Sequence, residues 1–276
     1  MKRALLYLEL LVILTAIFLI HNHTTGAYQP TSRGIGVMII GAALGISSTL
    51  LQGFFRNTIA DVGFMGIATA GALGSVTSIA LGNEFGSRIG LFISVLFALA
   101  GYYAFGLIKN KFFINGILLT LILSTPILII TQNKEHDGLF WILGSFTELN
   151  KLNVKHFAPF VEVGLITSFF VARKVLSNSN WVKFFVGIGT AFLIGSFVNV
   201  AGVIIGFGIF IPYLTRKLIK GDTRRILSYS ALTGPILLLI IDMIVNHLNE
   251  ISVTVITLLM ALVLSWFSKK QAKSQK

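Results

Sequence analysis

Residues 41–74 read GAALGISSTLLQGFFRNTIADVGFMGIATAGALG. Two glycine-rich apolar stretches flank a short polar turn, Arg56-Asn57-Thr58-Ile59-Ala60-Asp61. In a water-soluble protein that turn would be an ordinary surface loop. Here it lies in a 276-residue chain that is 55% hydrophobic and only 12% charged, with a mean hydropathy of +0.86. Soluble domains carry about 25% charged residues. Lipid is therefore the solvent for most of this chain, and the turn joins two membrane-crossing helices.

A crossing takes about 20 apolar residues, somewhat fewer for a short helix. On that scale the crossings are 4–20, 36–54, 63–81, 87–108, 112–131, 156–172, 183–200, 202–216, 228–247 and 251–267. The pattern predicts an all-α polytopic membrane protein, one transmembrane domain over 1–276, with about ten crossings. Lys2 and Arg3 ahead of the first run look like the start of a signal peptide. No small-residue cleavage site follows, however, and Glu9 interrupts the run, so 4–20 is expected to be retained. Positive charge marks the cytoplasmic side. With ten crossings and the N-terminus inside, only Arg33, Arg88, Lys134, Lys151 and Lys155 of the 22 basic residues fall outside. Dropping 202–216 would flip one end and spoil that partition, so both termini are expected in the cytoplasm. The same topology accounts for the net charge of +12 without nucleic acid, because the basic residues are scattered between apolar runs.

The chain has no cysteine, which removes disulfides, thiolate metal sites and cysteine nucleophiles. It carries no Gly-x-x-x-x-Gly-Lys-Ser/Thr phosphate loop and no catalytic constellation, so it is not read as an enzyme and cannot hydrolyse ATP alone. No cofactor is expected. Gly41, Gly45, Gly53, Gly63, Gly66, Gly71 and Gly74 crowd the second and third crossings, and Gly187, Gly189 and Gly195 recur in the seventh. Small residues let helices approach closely in lipid. Ser47, Ser48, Thr49 and Gln52 add polar groups that a lipid-facing helix avoids. The second crossing is thus either packed tightly inside the bundle or lines a passage.

The opening stretch resembles the signature of the permease subunits of ABC importers for iron–siderophore complexes, haem and vitamin B12, the FecCD family. That signature is a Gly-Ala-rich helix ending in Gln, then Arg-Asn-Pro-Leu-Ala-Asp/Glu, then a Gly-rich helix. Gln52, Arg56, Asn57, Ala60, Asp61, Gly66, Gly71 and Ala72 stand where it puts them, with Thr58 in place of the proline. Trp141-Ile142-Leu143-Gly144-Ser145 is similar to the family's outer-face Trp-x-x-Gly-Ser. Residues 201–216, AGVIIGFGIFIPYLTR, resemble its Ala-Gly-x-Ile-x-Phe-x-Gly-Leu-x-x-Pro-His-x-x-Arg. Gly221-Asp222-Thr223-Arg224, Ser230, Gly234 and Asp242 follow at family spacing.

The resemblance implies a permease of the cytoplasmic membrane that works by alternating access. Its implied partners are a cytoplasmic ABC ATPase, an extracellular or periplasmic substrate-binding protein, a second permease subunit in a homo- or heterodimer, and the surrounding lipid. Ser47, Ser48, Gln52, Phe207 and Pro212 are expected along the substrate pathway, with a helix break around Phe207–Pro212. Arg56, Asn57, Asp61, Arg173, Lys174, Arg216 and Arg224 are expected to face the ATPase; Arg33 and Trp141 are expected to face the binding protein. The departures also bear on mechanism. Between the sixth and seventh crossings the family carries a coupling helix with a Gly-Glu-x-x-Ala-x-x-Leu-Gly segment. This chain has only residues 172–183, ARKVLSNSNWVK, with room for about two helical turns. The family's Glu-x-Pro-x-Gly becomes Glu250-Ile251-Ser252-Val253-Thr254, its final Gly-x-Pro-x-Phe is absent, and Asn246 stands at the second outer arginine position.

Asp242 is an intramembrane carboxylate, which is costly unless paired; it is expected to make a structural or gating contact. Glu9 and Glu162 are expected to snorkel to an interface. His21 and His23, two residues apart, do not share a helix face and are expected as interfacial residues that bind no metal. The cluster Arg216, Lys217, Lys220, Asp222, Arg224 and Arg225 reads as a topology anchor or as an ATPase contact. Two further functions stay open: a secondary transporter that needs no ATPase, and a degenerate membrane scaffold that transports nothing.

Overall fold

A computed structural model describes residues 2–24, 30–107, 112–132, 138–144, 149, 154–177, 179–219 and 221–247. Among them the chain is all-helical: α1 (Lys2–Thr24), α2 (Pro30–Phe55), α3 (Ile67–Ala80), α4 (Arg88–Leu107), α5 (Phe112–Thr131), α6 (Gly138–Leu143), α7 (Val154–Val171), α8 (Asn180–Ala201), α9 (Phe207–Leu218) and α10 (Thr223–His247). Every expected crossing that falls in the described residues coincides with a helix. The last, 251–267, lies outside them, as does the altered C-terminal motif. Arg33–Phe55, Arg88–Leu107, Ile114–Thr131, Asn180–Ala201 and Thr223–Val245 are long and apolar enough to cross a membrane; Leu6–Asn22 and Ile67–Ala80 are shorter apolar helices. The six-residue α6 within the Trp141 motif was not expected.

Helices α2 and α10 begin earlier than the sequence pattern, at Pro30 and Thr223, and two others begin later. Within 63–81 the helix begins only at Ile67, and within 202–216 only at Phe207. Both starts are capped by a glycine in the left-handed region, Gly66 (φ 72°) and Gly206 (φ 87°), a conformation that other L-residues adopt only at a cost. The expected break at Phe207–Pro212 therefore lies at 202–206, and Phe207–Pro212 is helical. Pro212 is accommodated inside α9 because its missing N–H leaves the Gly208 carbonyl free. The Gln52 side chain fills that vacancy, Nε2 donating to Gly208 O at 3.3 Å.

The helices fall into two groups. α1, α2, α9 and α10 pack on one another; α3, α4, α5, α7 and α8, with α6, form the other, and α2 touches it through α7 and α8. Of the spanning stretches of α2 and α8, 78% is buried; of α5, 17%. α2 and α8 are thus central. α5 presents Leu118, Leu121, Ile122 and Ile129 outward, as a lipid-facing helix does.

Contacts between helix ends sort into two sets. At one end Arg56 Nη2 donates to Leu176 O (3.0 Å) and the Tyr102 hydroxyl to Lys183 O (3.1 Å). At the other, Gly86 N–H donates to Asn199 Oδ1 (3.0 Å) and Val203 N–H to Trp141 O (3.0 Å). An alternating up-and-down path pairs ends in this way.

Lipid removes the hydrophobic drive between helices, so close backbone approach holds them together. α2 and α10 show it best. A Cβ built at Gly41 would lie 2.6 Å from Gly234 O, and one at Gly234 would collide with Gly41 O. Gly41→Ala is expected to destabilise the protein by about 1–3 kcal/mol through overpacking against rigid backbone. Gly106→Ala, where a Cβ meets only the end of the Lys183 side chain at 3.6 Å, is expected to cost nothing. Thermal melting in detergent separates the two.

Candidate functional site

The chain passes from one helix group to the other at 56–66, between α2 and α3, and back again at 202–206, between α8 and α9. These two irregular crossings meet around Asp61, which is fully buried. Its carboxylate accepts from the N–H groups of Gly63 (3.0 Å), Phe64 (3.2 Å) and Gly206 (3.3 Å), and from Ser48 Oγ (3.4 Å). N–H groups ahead of a helix have no partner within it; here one carboxylate serves both α3 and α9. The fit leaves no room for side chains. A Cβ at Gly208 would collide with Ser48 Oγ and Asp61 Oδ1, and one at Gly63 would lie 2.9 Å from Ile205 Cα.

A polar seam continues from this node along α2, α9 and α10. Gln52 Oε1 accepts from Arg216 Nη1 at 2.6 Å while its amide holds Gly208 O. Thr49 Oγ1 donates to Ser230 Oγ (3.0 Å), Ser230 to Thr215 Oγ1 (3.3 Å), and Thr215 shares a hydrogen with Thr233 (2.8 Å). Ser47 Oγ returns to Ala43 O of its own helix at 2.6 Å. The residues expected along a passage, Ser47, Ser48, Gln52, Phe207 and Pro212, are therefore brought together, but as a closed and buried seam. Of the two readings left open for α2, tight packing is the one this conformation displays.

The residues expected at the cytoplasmic end divide. Arg56, Arg173, Lys174 and Arg224 are exposed, and Asn57 and Arg216 are half-buried. Asp61 is not among them, since its carboxylate turns inward to the node. Arg56 is held at φ 50°, unusual for a residue with a side chain, and its guanidinium ties the 56–61 turn to the 172–177 loop. Asn57 Oδ1 accepts from Ile59 N–H at 3.0 Å and shapes that turn. The described part of the shortened 172–183 connection forms no helix before α8. Lys174 N–H donates to Val171 O (2.9 Å) and Ser177 N–H to Lys174 O (2.8 Å), making successive turns. The Lys174 ammonium lies 5.3 Å over the Trp181 ring.

At the opposite end, Asp242 is buried against two partners. Arg33 approaches as a fork, Nη2 at 2.8 Å from Oδ1 and Nε at 3.1 Å from Oδ2, and His21 Nε2 lies 2.6 Å from Oδ2. His21 is thus fully buried between α1 and α10, contrary to the interfacial position expected for it. Arg33 is largely covered, with 14% of its side chain exposed, so what it engages in this conformation is its own chain. Trp141 is buried too, among Phe85 and Phe140. Its contribution at this end is the backbone carbonyl that receives Val203 N–H. Among the described residues no group of three His, Asp or Glu side chains stands as a metal site would require.

A bundle of apolar helices with two short helices starting inside it, joined through one buried carboxylate, defines the class: a polytopic membrane permease. A metal-chelate type ABC transporter solved in an inward-facing conformation shares the fold, with a TM-score of 0.76 over 96% of this chain and 99% of that one, at 21% identity. The chain belongs to the FecCD transport family, which it matches over residues 28–270. The Fe(3+)-citrate import system permease protein YfmD of Bacillus subtilis is 30% identical over 236 residues, 76% of this chain and 69% of the relative. The iron-uptake system permease protein FeuB of the same organism is 26% identical over 254 residues, 82% of this chain and 75% of the relative.

Sequence reasoning missed the His21–Asp242 contact and the shared carboxylate. The first was within reach, because the expected topology puts residues 21, 33 and 242 at the same membrane face. Removing one partner of a buried ion pair costs about 3–5 kcal/mol. Arg33→Ala and Asp242→Asn are each expected to destabilise on that scale, and the double variant by clearly less than the sum of the two. Unfolding in mixed detergent measures all three.

Proposed function

We propose that this chain is the permease subunit of an ABC importer that moves an iron–siderophore or haem-type chelate across the cytoplasmic membrane by alternating access. The observation that carries the proposal is the family match over 28–270, together with iron-chelate relatives. The family is one of transport permeases, not of enzymes. Energy then comes from a cytoplasmic ABC ATPase, cargo from a binding protein outside, and the complete importer holds a second permease subunit, identical or related. Ten crossings with both termini in the cytoplasm fit the alternating helix ends and the charge bias.

In this scheme Arg56, Asn57, Arg173, Lys174, Arg216 and Arg224 make the ATPase-facing surface. Two observations support it: Arg56 bonds to the 172–177 loop, and Arg216 bonds to the inner end of α2. Cargo would pass Ser47, Ser48, Gln52, Phe207 and Pro212 in an open stage of the cycle; their burial supports a closed stage here. Arg33 and the Trp141 segment lie at the end where the binding protein would dock.

Purification of the tagged chain from its native membrane is expected to bring an ABC ATPase with it, and uptake of ferric siderophore or haem is expected to stop when ATP is depleted. Absence of the ATPase, with uptake that survives ATP depletion, would establish a secondary transporter. Absence of both ATPase and uptake would leave a scaffold. Arg173→Glu combined with Lys174→Glu is expected to cut ATPase co-purification about tenfold by reversing two exposed charges at the contact.

A further inference from the structure

The two chain crossings between helix groups are bound together at one point, and that point is a single side chain. Asp61 belongs to the crossing that leaves α2, Gly206 to the crossing that enters α9, and their contact joins segments 145 residues apart in sequence. Both crossings end in a left-handed glycine, and each is followed by a helix start. Within a few residues lie Gly63 and Gly208, where backbone and carboxylate touch too closely for any side chain. To either side of the node the groups differ in how they are joined. Inside the α1–α2–α9–α10 group, the hydroxyl seam Thr49–Ser230–Thr215–Thr233 and the Gly41–Gly234 approach make one unit. Between groups, at the inner end, Arg56 holds a loop carbonyl and Val175 lies against Gly53, contacts that can part without leaving a buried charge.

We propose that Asp61 is a positioning residue that acts as the fixed pivot between these two helix groups, and that the groups turn about it as rigid bodies when the permease changes access. A carboxylate that accepts from three N–H groups of the two crossings, those of Gly63, Phe64 and Gly206, and a fourth bond from Ser48 of α2 resists translation but permits rotation. The flanking glycines leave the backbone free to twist. The node holds its geometry while the inner-end contacts open and close. The inference rests on the importer reading for its physiological setting, though not for its geometry.

The chain has no cysteine, so an introduced pair forms one defined disulfide. Gly53→Cys with Val175→Cys spans the two groups away from the pivot, at a site where a Cβ on residue 53 lies 3.1 Å from Val175 Cγ1. Gly71→Cys with Ala98→Cys lies inside one group, between α3 and α4, where a Cβ on residue 71 lies 3.5 Å from the Ala98 Cβ. In the intact importer, oxidation of the 53–175 pair is expected to stop uptake and reduction to restore it, while oxidation of the 71–98 pair leaves uptake unchanged. Asp61→Asn is expected to lower uptake about tenfold, a usual scale for lost coupling. Unaltered uptake with the 53–175 bond closed, or arrest by the 71–98 bond, overturns the rigid-group motion; full uptake by Asp61→Asn overturns the pivot. If the unmodified chain imports nothing, the importer reading fails by itself. Spin labels at Ile240→Cys on α10 and Phe92→Cys on α4 then decide the matter in the isolated chain. Their distance distribution is expected to shift in Asp61→Asn, and an unchanged distribution overturns the pivot.

Discussion

Hydrocarbon offers the polypeptide backbone no hydrogen-bonding partner, so every break in a helix must be satisfied from within the protein. This chain breaks its helical path at 61–66 and at 202–206, both largely buried, and three of the N–H groups in those breaks, of Gly63, Phe64 and Gly206, converge on the Asp61 side chain. A charged acceptor strengthens such bonds relative to neutral ones, and a buried carboxylate in turn needs several donors to be tolerated at all. Each need meets the other. The positions of α3 and α9, the glycines at 63 and 208, and the use of Gln52 to cap the carbonyl bared by Pro212 all follow from that arrangement.

The remaining architecture is built from contacts of a different kind. Glycine pairs bring α2 against α10, and Gly195 of α8 approaches the Val95 backbone of α4 closely enough that a Cβ would lie 2.6 Å from its Cα. Hydroxyls of Ser and Thr bond to carbonyls four residues back on their own helices, as Thr77 does to Leu73 and Thr131 to Ile127, so they cost little in lipid. Among the described residues, polar links between helices gather chiefly at the Asp61 node, along the hydroxyl seam and at Asp242, with single bonds elsewhere such as Ser94 Oγ to Gly71 O and the Tyr102 hydroxyl to Lys183 O. A transport protein needs units that keep their shape and seams that can open; concentrating the polar links separates the two.

Much of this was legible in the residues. Hydropathy located the helices because lipid forces long apolar runs. The glycines of 41–74 announced close helix contact, which the Gly41–Gly234 approach displays. Hydropathy could not reveal that 63–66 and 202–206 are irregular, because Val62, Phe64, Val203, Ile204 and Ile205 are as apolar as any helix; the positive φ angles of Gly66, Gly202 and Gly206 disclose it. Nor could it show which way Asp61 faces. A polar turn next to basic residues reads as solvent-exposed, while the carboxylate satisfies donors contributed from residue 206. His21 eluded the pattern for the same reason: its partner is on the last described helix.

That last distance has a consequence for how the protein is made. α1 rests on α10 through a small cluster of Leu10, Tyr229 and Ile236, and through His21 on Asp242, 221 residues further along the chain. Helices enter the bilayer in order of synthesis and associate afterwards. α1 must therefore wait in the membrane, its buried histidine without the carboxylate it will eventually meet, until nearly the whole chain has been inserted. Closure of the first helix onto the tenth is then a late event in biogenesis. A chain stalled before α10 would leave that polar group on α1 facing hydrocarbon, which offers it no partner.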